Sequence, residues 1–368
     1  MKKKTNKILV LLLTLTLLLP SFSFAQTSVD YEYVDFIVEY INAHYIKDID
    51  YETHQNNIIK GLLQNLDPYS DYYTKEEYEE FIDDLNLSFS GIGIVLKLEN
   101  NKVVIDRVLD DTPAKAQGLK AGDVIVSVNY QNVEGLSLEE VTSLLRGKAG
   151  NIVRIEIKRE NELKVFKVRR EKIEISPVEY DVFKGVGYIK LNSFSDEASE
   201  KVEEALKYID TVGTNKVILD LRDNPGGYLD EALKVANLFV PKGPIVHIKD
   251  KYGNVQSYYS NLEESKYKLV VLVNEKSASA SEIVAAAVKD TKAGYIIGTK
   301  TYGKGTVQNI VQLPNEDAIK LTVAEYFSPK WVKIDRVGVT PDLVVENETF
   351  DNQLEEAIDY LNNWMTQM

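Results

Sequence analysis

The chain has 368 residues, 44% of them hydrophobic and 27% charged, enough apolar content for a substantial core and enough length for two or three domains. Acidic residues outnumber basic ones 57 to 43, a formal charge of -14 that disfavours a polynucleotide partner, since no basic patch offsets the repulsion. There is no cysteine, hence no disulfide and no thiol nucleophile; His44, His54 and His247 are the only histidines, none beside a glycine-rich turn, and no cluster of His, Asp and Glu has metal-site spacing.

Residues 1 to 25, MKKKTNKILVLLLTLTLLLPSFSFA, place Lys2, Lys3, Lys4 and Lys7 ahead of a short apolar run, then Pro20 and the small residues Ser21, Ser23 and Ala25. This is the layout of a signal peptide cut after Ala25. The run is short for a membrane span, so the expectation is export to a periplasmic or extracellular space, the alternative being an uncleaved segment that anchors the protein to the membrane. Loss of the four lysines would take the charge from -14 to -18. Residues 26–86 read as an amino-terminal helical region. Val34, Ile37, Val38, Ile41 and Tyr45 recur at helical spacing, as do Ile58, Ile59, Leu62, Leu63 and Leu66. Asp67-Pro68 ends the second helix, and Thr74 with Glu77 forms a capping box that opens a third ahead of Tyr78, Phe81 and Leu85.

Residues 87–172 form the next segment. Alternating Ile94, Leu96 and Leu98, then Val103, Val104 and Ile105, predict strands; Ala121-Gly122-Asp123 marks a turn and Leu138 to Leu145 a short helix. The glycines of Gly91-Ile92-Gly93-Ile94 would let consecutive backbone N–H groups converge on an anion beside an exposed strand edge; they equally suit a bulge or tight turn. Residues 173–345 alternate strands and helices. Tyr188 to Leu191 and Val217 to Leu221 are strands, the second followed by Asp223-Asn224-Pro225-Gly226-Gly227 and a helix from Leu229 to Leu238. Lys268 to Val273 is another strand and Ser281 to Val288 another helix, which together predict a largely parallel sheet with ligands at its strand-to-helix turns. Residues 346–368 carry a closing amphipathic helix over Asn352 to Met365.

Two stretches carry the chemistry: SASASEIVAAA, residues 277–287, and TYGKGTVQ, residues 301–308. A serine hydroxyl needs a neighbour to take its proton, and a lysine serves if burial disfavours its charged form. Lys304, between Gly303 and Gly305, suits that role. Ser277, Ser279 and Ser281 all compete as nucleophile, and Ser277 or Ser281 would serve equally as a helix cap. Glu282 lies in the first turn of the helix, where the dipole favours a carboxylate, and reads as structural. Asp220, Arg222 and Asp223 read as an ion-pair network holding the NPGG turn, and His247 as a packed side chain.

An ordered series of motifs spans roughly residues 60–345: LDPYSDYYTKEEYEEF (66–81), FSGIGIVL (89–96), DTPAKAQGLKAGDVIVSVN (111–129), LRGKAG (145–150), ILDLRDNPGG (218–227), the serine and lysine stretches, and GVTPD (338–342). The series resembles the carboxyl-terminal processing proteases, tail-specific serine peptidases of family S41 that carry a PDZ domain. The resemblance implies an α/β protease core of the ClpP/crotonase-like kind with an inserted PDZ domain and an amino-terminal helical region. It implies Ser279 as nucleophile, Lys304 as base and Gln308 as the residue that holds the lysine. Oxyanion donors would be the backbone N–H of Ala280 and that of Gly226 or Gly227, the choice between the glycines staying open. Gly91, Ile92, Gly93 and Ile94 fall on the family's carboxylate-binding loop. Substrates would be proteins with free apolar carboxyl termini; neither metal nor organic cofactor is implied, and there is room for an adaptor or regulator. The amphipathic amino-terminal helices fit either a homodimer surface, as in some relatives, or packing on the chain's own core. A non-catalytic binding protein on the same scaffold and a Ser-Lys hydrolase of small amides or esters are the competing classes; a PDZ domain argues against the second, which has no protein tail to capture. One departure stands out: SPKWVKIDRV, residues 328–337, puts Trp331 where relatives commonly have glycine in a turn.

Overall fold

The computed structural model describes residues 30–347 and 350–363. The segment read as a signal peptide and the last residues expected in the closing helix lie outside them. The described residues fall into two compact units, divided between Gln55 and Asn56. The first contains the helix Tyr31–His44, capped by Asp30, whose side chain accepts the Tyr33 N–H at 3.1 Å. None of that helix's residues is buried. A second helix, Tyr51–Gln64, begins in this unit and continues into the next.

The larger unit is built on a six-stranded sheet in the spatial order Val178–Phe183, Val186–Leu191, Lys216–Asp220, Lys268–Val273, Gly294–Gly298 and Leu343–Val344. The first two strands form an antiparallel hairpin, and every later pairing is parallel. Because successive side chains point to opposite faces, the central runs Val217–Leu219 and Leu269–Val273 are apolar on both. Val217, Leu219, Leu269, Val271 and Val273 pack with the helices Ala198–Val212, Leu229–Asn237 and Ala280–Thr291. Ile218, Val270 and Leu272 pack instead with Ala357, Ile358 and Leu361 of the helix Asn352–Asn362. Both faces are covered, as parallel sheets require.

A second, antiparallel sheet was not legible in the sequence. Ala318–Phe327 is its central strand, flanked by Asp71–Tyr73, Thr306–Gln312 and Gly243–Asp250, the last of which also pairs with Val255–Ser260. Ile245, Val246 and Tyr326 carry it into the main core. The Thr74–Glu77 capping box forms as expected at the head of the helix Lys75–Leu85.

Between these parts the chain leaves through Ser88–Gly91 and returns through Glu171–Glu174, two strands paired antiparallel as a neck. Beyond the neck lies a five-strand sheet path, Ile94–Glu99, Lys102–Val108, Val124–Val128, Ile152–Arg159 and Glu162–Arg169, with the helix Leu138–Leu145. It has a core of its own, including Ile105, Ile125, Val141, Val153, Ile155 and Val168. Ile94–Glu99 is one of the two edge strands of that path.

The root of the NPGG turn is fixed by charge. Asp220 is fully buried at a strand end and receives Arg222 at 2.6 Å, while the same guanidinium reaches Asp351 at 2.5 Å. The Tyr188 hydroxyl donates to Asp220 at 2.7 Å, and Lys190 lies 3.6 Å from it. Asp351 also caps the last helix by accepting the Leu354 N–H at 3.1 Å, so one arginine ties strand, turn and terminal helix. Asp223, grouped with these residues from sequence, goes elsewhere: at φ 62° it exchanges hydrogen bonds with Asn274 and pairs with Lys276 at 3.2 Å. Arg222→Met would leave Asp220 buried without its main counter-charge, an expected loss of about 3–5 kcal/mol in urea unfolding. A loss below about 1 kcal/mol would mean that Tyr188 and Lys190 suffice to hold the carboxylate.

Candidate active site

Asp220 and Leu272 are register partners in adjacent parallel strands, so the turns after them emerge side by side at the carboxyl end of the sheet. That is where open α/β sheets bind ligands. Two of the three candidate serines spend their hydroxyls lashing these turns together. Ser277 Oγ donates to the Leu221 carbonyl at 2.8 Å and accepts the Asn274 N–H at 2.9 Å; Ser281 Oγ donates to the Asn224 carbonyl at 3.0 Å. Both are fully buried.

Ser279 is different. It precedes the helix Ala280–Thr291 with φ 55° and ψ -114°, a conformation that costs an L-residue energy and persists only where its surroundings enforce it. Its carbonyl accepts the N–H groups of Glu282 and Ile283 at 2.9 and 3.0 Å. Gly226 packs directly on it: a Cβ there would lie 2.8 Å from Ser279 Cβ and 3.1 Å from the Ala280 nitrogen. The Gly226 N–H is taken by Asn224 Oδ1 at 2.9 Å. Neither the Gly227 nor the Ala280 N–H meets a hydrogen-bond partner among the described residues.

The lysine loop is joined to this serine by one buried carboxylate. Glu282 Oε2 accepts the backbone N–H of Ser279 at 3.0 Å and of Lys304 at 2.9 Å; Oε1 accepts the Gly303 N–H at 2.7 Å and the Thr301 hydroxyl at 2.6 Å. Burial pushes its pKa up, and the four donors act in the opposite direction. The first-turn dipole expected from sequence is thus a small part of what Glu282 does. The Tyr326 hydroxyl adds a second joint, bonding the carbonyls of both Ser279 and Lys304. Gly305 is required for a third approach, since a Cβ would sit 2.1 Å from the Asp335 nitrogen.

The Lys304 amine is half-buried, and its pKa is pushed below the ordinary lysine value by burial and then by the charge of Lys320, with Glu282 and Asp67 opposing. It lies 4.9 Å from the centroid of the Tyr69 ring. No hydrogen bond among the described residues joins it to Ser279. Gln308 sits at a bulge in the pairing of Thr306–Gln312 with Ala318–Phe327. Its amide donates to Thr306 Oγ1 at 2.9 Å and Thr322 Oγ1 at 3.1 Å, not to the lysine. Thr322 in turn donates to Asp67 at 3.1 Å and, through its N–H, to Ser70 at 3.0 Å. Ser279 and Lys304 are therefore joined through Glu282 and Tyr326, while Gln308 is tied through Thr322 to the Asp67–Ser70 turn. The sequence reading missed Tyr69, Thr322 and Tyr326 and took Asp67 for a helix stop; the signal that could have pointed to Tyr69 and to the role of Asp67 is the DPYS run itself.

Gly91, Ile92, Gly93 and Ile94 lie in the necked module, at one end of a groove of about 480 Å³ between its edge strand and the helix Leu138–Leu145. Ile92, Leu96, Leu109, Leu145 and Arg146 are among its lining. The loop is held from behind: the Ile92 and Gly93 carbonyls accept the N–H groups of Ala114 and Leu109 at 2.8 and 3.0 Å. Gly93, at φ 84°, leaves no room for a Cβ, which would lie 2.3 Å from Thr112. His247 is buried, with Nδ1 2.7 Å from Ser257 Oγ and its ring stacked on Trp331 at 4.2 Å. No group of three or more His, Asp or Glu among the described residues could hold a metal.

The α/β core with its necked, inserted module is that of a serine peptidase that carries a PDZ domain, as the matches to known proteins show. Residues 185–345 match Peptidase family S41, and residues 83–158 match the PDZ domain. The chain is 36% identical over 320 residues to the Carboxy-terminal-processing protease of Bartonella bacilliformis, covering 84% of this chain and 74% of that protein. It is 34% identical over 325 residues to the Probable CtpA-like serine protease of Staphylococcus aureus (strain COL), spanning 87% of this chain but only 65% of that relative's length. Among solved structures, the photosystem II D1 C-terminal processing protease superposes with a TM-score of 0.54 at 29% identity, over 89% of this chain and 90% of that one. The chain belongs to peptidase family S41.

Glu282→Gln keeps the shape but replaces one acceptor oxygen by a donor, facing N–H groups that cannot accept. The expected result is a loss of about 2 kcal/mol in stability, with faster hydrogen exchange at the Gly303 and Lys304 amides. Unchanged exchange at those two amides would show that the loop is held by its other contacts, among them Tyr326 and Arg336.

Proposed function

We propose that this peptidase is exported, captures the free carboxyl terminus of a protein substrate in the PDZ groove, and cleaves peptide bonds with Ser279 as nucleophile and Lys304 as base. The observation that carries the reading is the joint made by Glu282, which holds a strained serine and a lysine of lowered pKa by their backbones. The consumed hydroxyls of Ser277 and Ser281 favour Ser279 over its two neighbours.

In this mechanism a neutral Lys304 amine takes the Ser279 proton as Oγ bonds to the substrate carbonyl carbon. The resulting oxyanion is held by the Ala280 N–H and by that of Gly227, since the Gly226 N–H is already engaged with Asn224. One such donor is typically worth about 3 kcal/mol in the transition state. The Lys304 ammonium then gives its proton to the leaving amine, leaving an acyl-enzyme ester. Water, deprotonated by the same amine, releases the acid and restores the serine. Gln308, opposite Thr322 in the neighbouring strand, receives the amine when it turns from Tyr69 toward Ser279.

The PDZ half of the proposal rests on the unpaired edge of Ile94–Glu99, which offers backbone pairing to an extended tail, and on the glycine loop at its start, which offers N–H groups to a terminal carboxylate. The apolar lining of the groove favours an apolar last residue. Export is proposed from the layout of residues 1–25; no described helix is long and apolar enough to cross a membrane.

Wild type should cleave an unfolded protein that ends in an apolar tail, amidation of that tail should weaken cleavage, and Ser279→Ala should abolish it. Tail binding by both enzymes with cleavage by neither would make the chain a binding protein on a peptidase scaffold. Because the Lys304 pKa is lowered, its neutral fraction is already substantial below the ordinary value of 10.5, so kcat/KM should rise with pH and level off below that value. Lys304→Ala should cost roughly a thousandfold or more and remove the rising limb; a retained limb would rule out the lysine as base.

A further inference from the structure

We propose that Tyr69 is a positioning residue for the Lys304 amine: its ring is the perch on which the charged amine rests, and the amine leaves that perch to reach Ser279. The inference rests on the Ser279–Lys304 reading above and adds to it what sets the lysine's place before reaction.

The perch is rigid at its base. Asp67 Oδ1 accepts the N–H groups of Tyr69 and Ser70 at 2.8 and 2.9 Å, and Oδ2 accepts the Ser70 hydroxyl at 2.7 Å. Thr322 fastens this turn to the strand Ala318–Phe327 with bonds to Asp67 and Ser70 at 3.1 and 3.0 Å. At the far end, Tyr302 is near enough to raise the Tyr69 pKa, and its backbone N–H donates to the Ser277 carbonyl at 3.1 Å. The ring is therefore carried on a turn tied to the strand that holds Thr322, with Tyr302 of the lysine loop beside it.

The amine sits 4.9 Å from the ring centroid, within the range of about 6 Å over which an aromatic face attracts a cation. The surrounding charges do not replace that contact. Lys320, from the strand Ala318–Phe327, disfavours the ammonium; Glu282 of the serine helix and Asp67 of the turn favour it. Glu282 is already engaged with Ser279, Thr301, Gly303 and Lys304 backbone or hydroxyl donors, and Asp67 with Tyr69, Ser70 and Thr322. Asp335 and Tyr326 bear on the Tyr69 side of the cluster. Among the described residues no carboxylate pairs directly with the Lys304 amine.

A π face attracts an ammonium and not a neutral amine. Loss of the proton to solvent therefore dissolves the hold on Tyr69 at the moment the amine becomes a base. The perch couples where the lysine is to whether it can act. Tyr69 does not titrate in the same range: burial, then neighbouring Tyr302, pushes its own pKa up to about 12.

The test uses the mature chain and reads Lys304 in two ways: its pH-dependent acetylation, followed by peptide mass spectrometry, and the rising limb of kcat/KM. Tyr69→Leu removes the face and should move both down by roughly half to one pH unit; Tyr69→Phe keeps the face and should leave both where they are. In Tyr69→Phe, successive fluorination of the ring at constant volume should move the limb down stepwise, a readout that survives if Tyr69→Leu fails to fold. A limb that ignores fluorination, or that moves as far in Tyr69→Phe as in Tyr69→Leu, overturns the perch. The two readings separate cleanly. If acetylation of Lys304 shifts while Lys304→Ala keeps its pH limb, the perch stands and the dyad falls; if Lys304→Ala is inactive while acetylation is unmoved in Tyr69→Leu, the dyad stands and the perch falls.

Discussion

The burial of one carboxylate governs this site. Glu282 is removed from water at the start of a helix, an arrangement that would be costly unless the lone pairs were satisfied. They are satisfied by donors from both sides of the site, the Ser279 N–H on one and Thr301, Gly303 and Lys304 on the other. The need to pair the carboxylate therefore becomes a force that brings two loops together. How it does so matters for chemistry. A carboxylate bonded to the Lys304 amine would hold it protonated; bonded to the backbone, it fixes the loop and leaves burial and Lys320 free to lower the amine's pKa.

The two sheets divide the work. The parallel sheet brings the NPGG and SASAS turns side by side, and close packing there depends on Gly226, where a Cβ would strike Ser279. The antiparallel sheet supplies Tyr326 and Thr322, and its Thr306–Gln312 strand continues directly from the lysine loop. Tyr326 is where the two meet, its hydroxyl bonding the carbonyls of Ser279 and Lys304. The Asp220–Arg222–Asp351 cluster anchors the first of these turns from below, binding it to the last helix.

The parallel strands were legible because both their faces are buried, which leaves unbroken apolar runs such as Leu269 to Val273. Local signals were legible too: the Thr74–Glu77 box needs only three residues' spacing. The antiparallel sheet was not. Ala318–Phe327 is only partly buried and mixes polar with apolar residues, and its pairing of Lys320 with Asp71 spans most of the chain, which no local pattern encodes. The same limit applies to the site. From sequence, Ser277, Ser279 and Ser281 differ only by motif position; what distinguishes them is which hydroxyls are spent on Leu221 and Asn224, a fact of tertiary packing. Likewise, Gly226 and Gly227 are equivalent as residues and differ only once the Asn224 side chain is seen to occupy one N–H.

Trp331 puts a bulky side chain on a backbone that favours glycine. The position has φ 62°, the left-handed region that favours glycine, so the turn itself is the one a glycine would make. A bulky residue there carries a strain of about 1–3 kcal/mol. The indole lies flat on His247, with ring centroids 4.2 Å apart and planes 5° from parallel, and tilts against Phe327 at 5.7 Å, contacts that offset part of that strain. The same loop continues through Asp335, whose backbone meets Gly305 beside Lys304, and through Arg336, whose N–H donates to the Gly303 carbonyl at 2.7 Å. A tryptophan half-exposed on a turn clamped to the lysine loop therefore shapes the surface beside that loop while the loop's own backbone contacts stay in place.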